Sequence, residues 1–145
     1  MVLSLSAVIE LATQLHDGQV DKEGQPYIGH LARVAQRVEY AGGSPEQVQA
    51  AWLHDSIEDT AATKESLLAQ GVSLSVVMLV DVLTKKPGQS YDSFITWVAS
   101  DAEAAFVKRY DIADNLDPTR LDKLDPETQL RLAKKYAQAL LILAR

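Results

Sequence analysis

The chain is 145 residues long and 47% hydrophobic, with a net charge of −6 and no cysteine. That length and apolar content predict one globular all-α domain over residues 1–145 and exclude a disordered chain. The acidic balance argues against a general nucleic-acid surface, and without cysteine any metal must be held by histidine, carboxylate or carbonyl groups.

Apolar residues recur at helical spacing along almost the whole chain. Met1 to Leu5 has neither a basic stretch nor a long apolar run, and no segment reaches membrane-spanning length. A cytosolic protein with no membrane partner is expected. A first helix from Ser4 to Asp17 places Leu5, Val8, Ile9, Ala12 and Leu15 on one face, and Gly18 stops it. A polar loop over Val20 to Tyr27 follows. A second helix begins near Ile28, turns Leu31, Val34, Ala35 and Val38 inward, and ends at Gly42-Gly43. Ser44-Pro45 starts a third, which runs into His54-Asp55.

Thr63 to Gln70 is a short helix closed by Gly71. Ser73 to Leu83 is rich in valine and could form a strand, but its length and the spacing of Leu74, Val77, Met78 and Asp81 favour a helix. Tyr91, Phe94, Ile95 and Val98 mark another, and Asp101 to Asn115 a further one, broken by Asp117-Pro118. Asp125-Pro126 caps the last helix, with Leu130, Ala133, Tyr136, Ala137, Leu140 and Leu143 on its apolar face. The expected architecture is a compact bundle of roughly seven or eight helices.

The chemistry concentrates in His54-Asp55-Ser56-Ile57-Glu58-Asp59-Thr60. Buried charge is costly unless it is paired or bound to metal, so one histidine and three carboxylates at a largely buried helix end call for a cation. On a continuous helix His54 and Glu58 share a face, while His54 and Asp55 diverge by about 100°. Histidine with aspartate suits a borderline divalent ion such as Mn, Fe, Co or Zn. Two ligands are too few. The other candidates are His16, His30, and Asp111 or Asn115 on the late helix, where Asp114 is expected on another face. A set of His30, His54, Asp55 and Asp111 would leave open positions for water and substrate. Glu58 would then be free to orient or deprotonate the water.

The segments Ala12-Thr-Gln-Leu-His16-Asp-Gly18-Gln19 and Lys22-Glu23-Gly24-Gln25-Pro26-Tyr27-Ile28-Gly29-His30 resemble the start of the HD-type hydrolase domain of RelA/SpoT proteins. The run from His54 resembles its HDxxED signature, and Asp111-x-x-x-Asn115 its late ligand motif. The three blocks keep the family order over about residues 4–116, and the chain is most similar to the stand-alone small alarmone hydrolases. The resemblance implies His30, His54, Asp55 and Asp111 as metal ligands, with Mn(II) the usual ion and another divalent transition metal possible. It implies Glu58 and Asp59 as the water-activating pair, Asn115 at the substrate's ribose or phosphate region and Lys22 at its phosphates. The implied reaction removes the 3′-pyrophosphate of guanosine tetra- or pentaphosphate, giving GDP or GTP and pyrophosphate.

Asp21 stands where many relatives carry an arginine that packs on the base, and Tyr110 and Asp114 also depart from the family pattern. Two alternatives therefore remain: the same site acting on an adenosine alarmone or on the 2′-phosphate of NADPH, and a non-catalytic HD-like module that binds a nucleotide. His16 is expected to be structural, and Trp52, Trp97, Phe94 and Phe106 to be core residues. The sequence is silent on oligomeric state.

Overall fold

The computed structural model describes residues 1–145 and is all-α. The elements are α1 (Leu5–Leu15), α2 (Ile28–Tyr40), α3 (Pro45–Leu53), α4 (Ser56–Asp59), α5 (Lys64–Gln70), α6 (Leu74–Val82), α7 (Tyr91–Ala99), α8 (Ala102–Asn115), α9 (Pro118–Leu121) and α10 (Pro126–Leu143). The single turns α4 and α9 were not expected as separate helices. The other eight match the expected bundle.

Side-chain oxygens start most of them. Ser4, Thr63, Ser73, Ser90, Asp101, Asp117 and Asp125 each accept a first-turn N–H. Ser44 forms a capping box with Gln47, which offsets the orphaned donors at the start of α3. Gly71 closes α5 at φ 101°, a left-handed conformation that side chains resist. The valine-rich segment is helical: Val76, Val77, Leu79 and Val80 are buried, while Leu74 and Met78 face outward.

Helix α3 is central. It packs on α1, α2, α6 and α8, and Ala50, Ala51 and Leu53 are fully buried. Helix α2 lies between α3 and α8, which brings His30 opposite both His54 and Asp111. Helix α10 closes the far side against α7 and α8. Its buried residues are Leu132, Ala139, Ile142 and Leu143; of the expected stripe Leu143 is buried and Tyr136 packs on the core, while Leu130, Ala133, Ala137 and Leu140 are turned outward. Leu130 is 58% exposed, as is Trp97, which is therefore not a core residue. On so long a helix several apolar rows compete, and only docking on α7 selects among them.

Candidate active site

Helix α3 ends at Leu53, and His54-Asp55 form a turn into α4. Two side chains stabilise that break: His54 Nδ1–H donates to the Ala51 carbonyl (2.6 Å) and Ser56 Oγ–H to the Leu53 carbonyl (2.6 Å), satisfying carbonyls in the last turn of α3. The run is therefore not one helical face. His54 is buried, Asp55 half-buried, and Glu58 and Asp59 are exposed at the edge of a cavity.

Three candidate ligands converge. His30, His54 and Asp111 are buried and offer ligand atoms within 4.8 Å of one another. His30 Nε2 lies 2.9 Å from Asp111 Oδ1, and His54 Nε2 lies 3.3 Å from the same oxygen. Asp55 Oδ2 lies 3.1 Å from His54 Nε2 and 3.9 Å from His30 Nε2. Both imidazoles spend their Nδ1 hydrogen elsewhere, His54 on Ala51 and His30 on Asp114 Oδ2 (2.7 Å). That turns each Nε2 toward the carboxylates. His54 Nε2 is buried with no hydrogen-bond partner. A buried ring nitrogen without a hydrogen-bond partner, beside two carboxylates, fits a divalent cation, and the donor set is of the right kind.

The surroundings hold these groups in place. Tyr27 Oη–H donates to Asp55 Oδ2 at 2.6 Å, and burial followed by the Asp55 charge pushes the phenol well above its ordinary range. Lys108 Nζ donates to Asp111 Oδ2 at 2.7 Å, so that Oδ1 is turned toward the imidazoles. Burial would lower the Lys108 ammonium, but Asp111 outweighs it and raises it. Burial would raise Asp111, but Lys108 and then His54 hold it well below the usual carboxylate range. Asp55 is likewise lowered, by His54 against burial. Burial would lower both histidines; for His30 the bonds to Asp111 and Asp114, and for His54 the charges of Asp55 and Asp111, raise them instead.

Asp114, which the sequence placed on another face, is fully buried at this site. It accepts His30 Nδ1–H, Arg33 Nε–H (2.8 Å) and Arg120 Nη1–H (2.7 Å). The two aspartates of α8 thus take opposite nitrogens of one imidazole, and their three-residue spacing was the available signal. Asn115 Nδ2–H donates to Asp111 Oδ1 at 3.3 Å and lines the cavity. His16 lies outside the cluster: buried, stacked on Tyr27, with Nδ1 2.7 Å from Gln19 Oε1. Gln19 Nε2–H in turn donates to Asp59 Oδ2 (3.3 Å). Burial, then the Asp55 charge, raises the Asp59 carboxyl.

The cavity has a volume of about 450 Å³. His30, Asp55 and Asp111 form its acidic end. Lys22, Lys85, Lys108, Lys135 and Arg120 also line it, with Tyr91, Leu121, Leu124, Leu132 and Tyr136 as apolar wall. Lys85 donates its backbone N–H to Glu58 Oε1 at 3.1 Å. Lys108 and Arg120 are committed to carboxylates, but Lys22, Lys85 and Lys135 are in no ion pair, and a chamber with a histidine–carboxylate end and these three lysines suits a ligand bearing several phosphates.

Residues 8–91 match the HD domain family. A Mycobacterium leprae protein named "Probable GTP pyrophosphokinase" is 33% identical over 93% of this chain and 18% of its own length. A guanosine-3′,5′-bis(diphosphate) 3′-pyrophosphohydrolase of Haemophilus influenzae is 30% identical over 86% of this chain and 20% of its own length. The chain thus spans about a fifth of the length of these curated relatives. A solved structure, described as a metazoan ortholog of SpoT that hydrolyzes ppGpp, superimposes with a TM-score of 0.78 at 22% identity, covering 99% of this chain and 88% of that one. No helix here is long and apolar enough to cross a membrane.

Proposed function

This chain belongs to the HD-domain family, and on that footing we propose that it is a metal-dependent phosphohydrolase acting on guanosine alarmones. The reaction would remove the 3′-pyrophosphate of guanosine tetra- or pentaphosphate, as the names of the related hydrolases suggest. The observation that carries this reading is the pair of buried imidazoles, each with Nδ1–H committed and Nε2 turned to Asp111, opening on a chamber with a basic rim.

We assign His30, His54, Asp55 and Asp111 as the ligands of a divalent ion, with Mn(II) the choice that suits their nitrogen and oxygen donors. Such an ion supplies Lewis-acid polarisation of a phosphate oxygen and a lowered water pKa. Glu58 orients the attacking water. Its Oε1 accepts the Lys85 N–H, which leaves Oε2 to take the water's proton. Asp59, steadied by Gln19, shares that water. The water oxygen bonds to phosphorus as its proton passes to Glu58, the bond from phosphorus to the 3′ oxygen breaks, and that oxygen takes up a proton from Glu58 or solvent to end as a hydroxyl. Lys22 and Lys85 hold phosphates, and Asn115, tied to Asp111, meets the ribose side. The substrate is a small nucleotide rather than a nucleic acid, and we place the protein in the cytosol as one HD-type unit.

Asp21 lines the same cavity and favours a second reading, in which the site acts on an adenosine alarmone or on the 2′-phosphate of NADPH. The test is incubation of the Mn(II)-loaded protein with guanosine tetraphosphate, its adenosine counterpart and NADPH separately. Pyrophosphate from the first alone supports the first reading. Glu58→Gln is expected to keep Mn(II) and lose turnover; full activity in that variant removes Glu58 from the mechanism. Protein that neither holds Mn(II) nor turns over any of the three would favour the non-catalytic module.

A further inference from the structure

Arg120 belongs to none of the sequence motifs, yet it sits where three carboxylates meet. It projects from the single-turn helix α9. Nε–H donates to Glu23 Oε1 at 2.8 Å, Nη1–H donates to Asp114 Oδ2 at 2.7 Å and to the Asp114 carbonyl at 2.7 Å, and Nη2 lies 3.5 Å from Asp21 Oδ2. Its side chain is only 17% exposed, and all three carboxylate partners are less so. An arginine so placed uses its rigid fork to fix relative positions, which a lysine's single ammonium cannot do.

Its partners belong to different parts of the site. Asp114 Oδ2 also receives His30 Nδ1–H at 2.7 Å and so sets that ligand's tautomer and ring direction. Asp21 and Glu23 flank Lys22 in a tight loop. That loop is closed by the Val20–Pro26 bridge and by Asp21 Oδ1, which accepts the Glu23 and Gln25 N–H groups. The only side chains that join this loop to α9 and the turn after it by ion pairs are Arg120 and the largely exposed Lys123, whose Nζ lies 3.6 Å from Glu23 Oε2.

We propose that Arg120 is a positioning residue that holds the Lys22 loop with one end and, through Asp114, the ligand His30 with the other, so that one side chain supports both substrate-phosphate binding and metal affinity. The proposal builds on the metallohydrolase reading above. One end of the guanidinium keeps Asp114 aimed at His30. The other keeps Lys22 at the cavity wall. Arg33 also holds Asp114, through Oδ1 at 2.8 Å, so loss of Arg120 weakens the arrangement without leaving Asp114 unpaired.

The test combines Mn(II) calorimetry on metal-free protein with steady-state kinetics on guanosine tetraphosphate at saturating Mn(II). Arg120→Ala is expected to weaken Mn(II) binding about tenfold, the lower end for removing a support behind a ligand, and to raise KM several-fold with kcat within about threefold. Arg120→Lys should recover Mn(II) affinity through Asp114 but keep the high KM, because one ammonium cannot span Asp114 and Glu23. Glu23→Gln should raise KM and leave Mn(II) affinity unchanged. Arg120→Ala with both constants within twofold of wild type overturns the proposal. So does a uniform fall in kcat, KM and melting temperature that Arg120→Lys does not split. If Arg120→Ala does not fold, Arg120→Lys and Glu23→Gln decide, and wild-type constants in both overturn it. If wild type itself lacks turnover, the alarmone reading fails, and the calorimetric comparison of wild type with Arg120→Ala still decides Arg120.

Discussion

Lys108→Met separates the charge of the site from its packing. Methionine keeps the length and apolar body of the side chain, so no cavity is opened, although the ammonium 5.3 Å from the Phe94 ring centroid is also lost. What disappears is the ammonium 2.7 Å from Asp111 Oδ2, in a pair whose side chains are 10% and 6% exposed. Both members are ionised, since Lys108 is raised and Asp111 lowered by their contact. At an effective dielectric of about 20 the attraction is roughly 6 kcal/mol before desolvation. Removing one partner of a buried pair costs about 3–5 kcal/mol in practice. For a chain of this length that is a fall of roughly 10–15 °C in the melting temperature of the metal-free protein. A divalent cation beside Asp111 supplies the missing positive charge, so at saturating Mn(II) the gap should narrow to less than half. By linkage the variant must then bind Mn(II) more tightly than wild type. Thermal melts with chelator and with Mn(II), plus calorimetric Mn(II) affinities, measure both effects. A metal-free variant within about 2 °C of wild type, or an equal loss with and without the ion, refutes the reasoning.

Tyr27→Phe removes the 2.6 Å bond to Asp55 Oδ2; Mn(II) affinity should drop about tenfold with little change in fold, measured by calorimetry and circular dichroism. His30 and His54 have raised pKa values in the metal-free protein. Their protonated pairs with carboxylates therefore stabilise it fully below the unfolded value near 6.5, and that contribution is lost as pH rises through the raised folded values. Chelator-treated protein should accordingly lose melting temperature above neutrality, and Mn(II) binding near pH 6 should release between about one and two protons, read from the buffer dependence of the heat. A buffer-independent heat would sink that account. Gly43→Ala places a Cβ 2.5 Å from Val38 Cγ1 and 3.2 Å from Phe106 Cε1; a loss of about 1–3 kcal/mol is expected by denaturant titration, because the contact is with packed neighbours.

The helices were legible because each carries its own signals. Ser44-Pro45 and Asp125-Pro126 start helices wherever they occur, and Gly71 stops one. The ligand candidates were legible because histidine is scarce here and carboxylates are dense around His54. Phase was not. Leu130 and Leu132 offer similar apolar faces, and only the packing of α10 on α7 and α8 buries the second.

By itself, the sequence determined local structure and the stock of donor groups, since capping, helical spacing and residue chemistry act within a few residues. The tertiary structure alone decided how those groups meet. The turn at His54-Asp55 divides the buried His54 from the exposed Glu58 and Asp59. The docking of α2 on α8 sets Asp111 and Asp114 on opposite nitrogens of His30 across 81 and 84 residues of chain. Arg120 reaches Glu23 across 97 residues. Such contacts depend on how distant helices are oriented, and no short window of sequence carries that orientation.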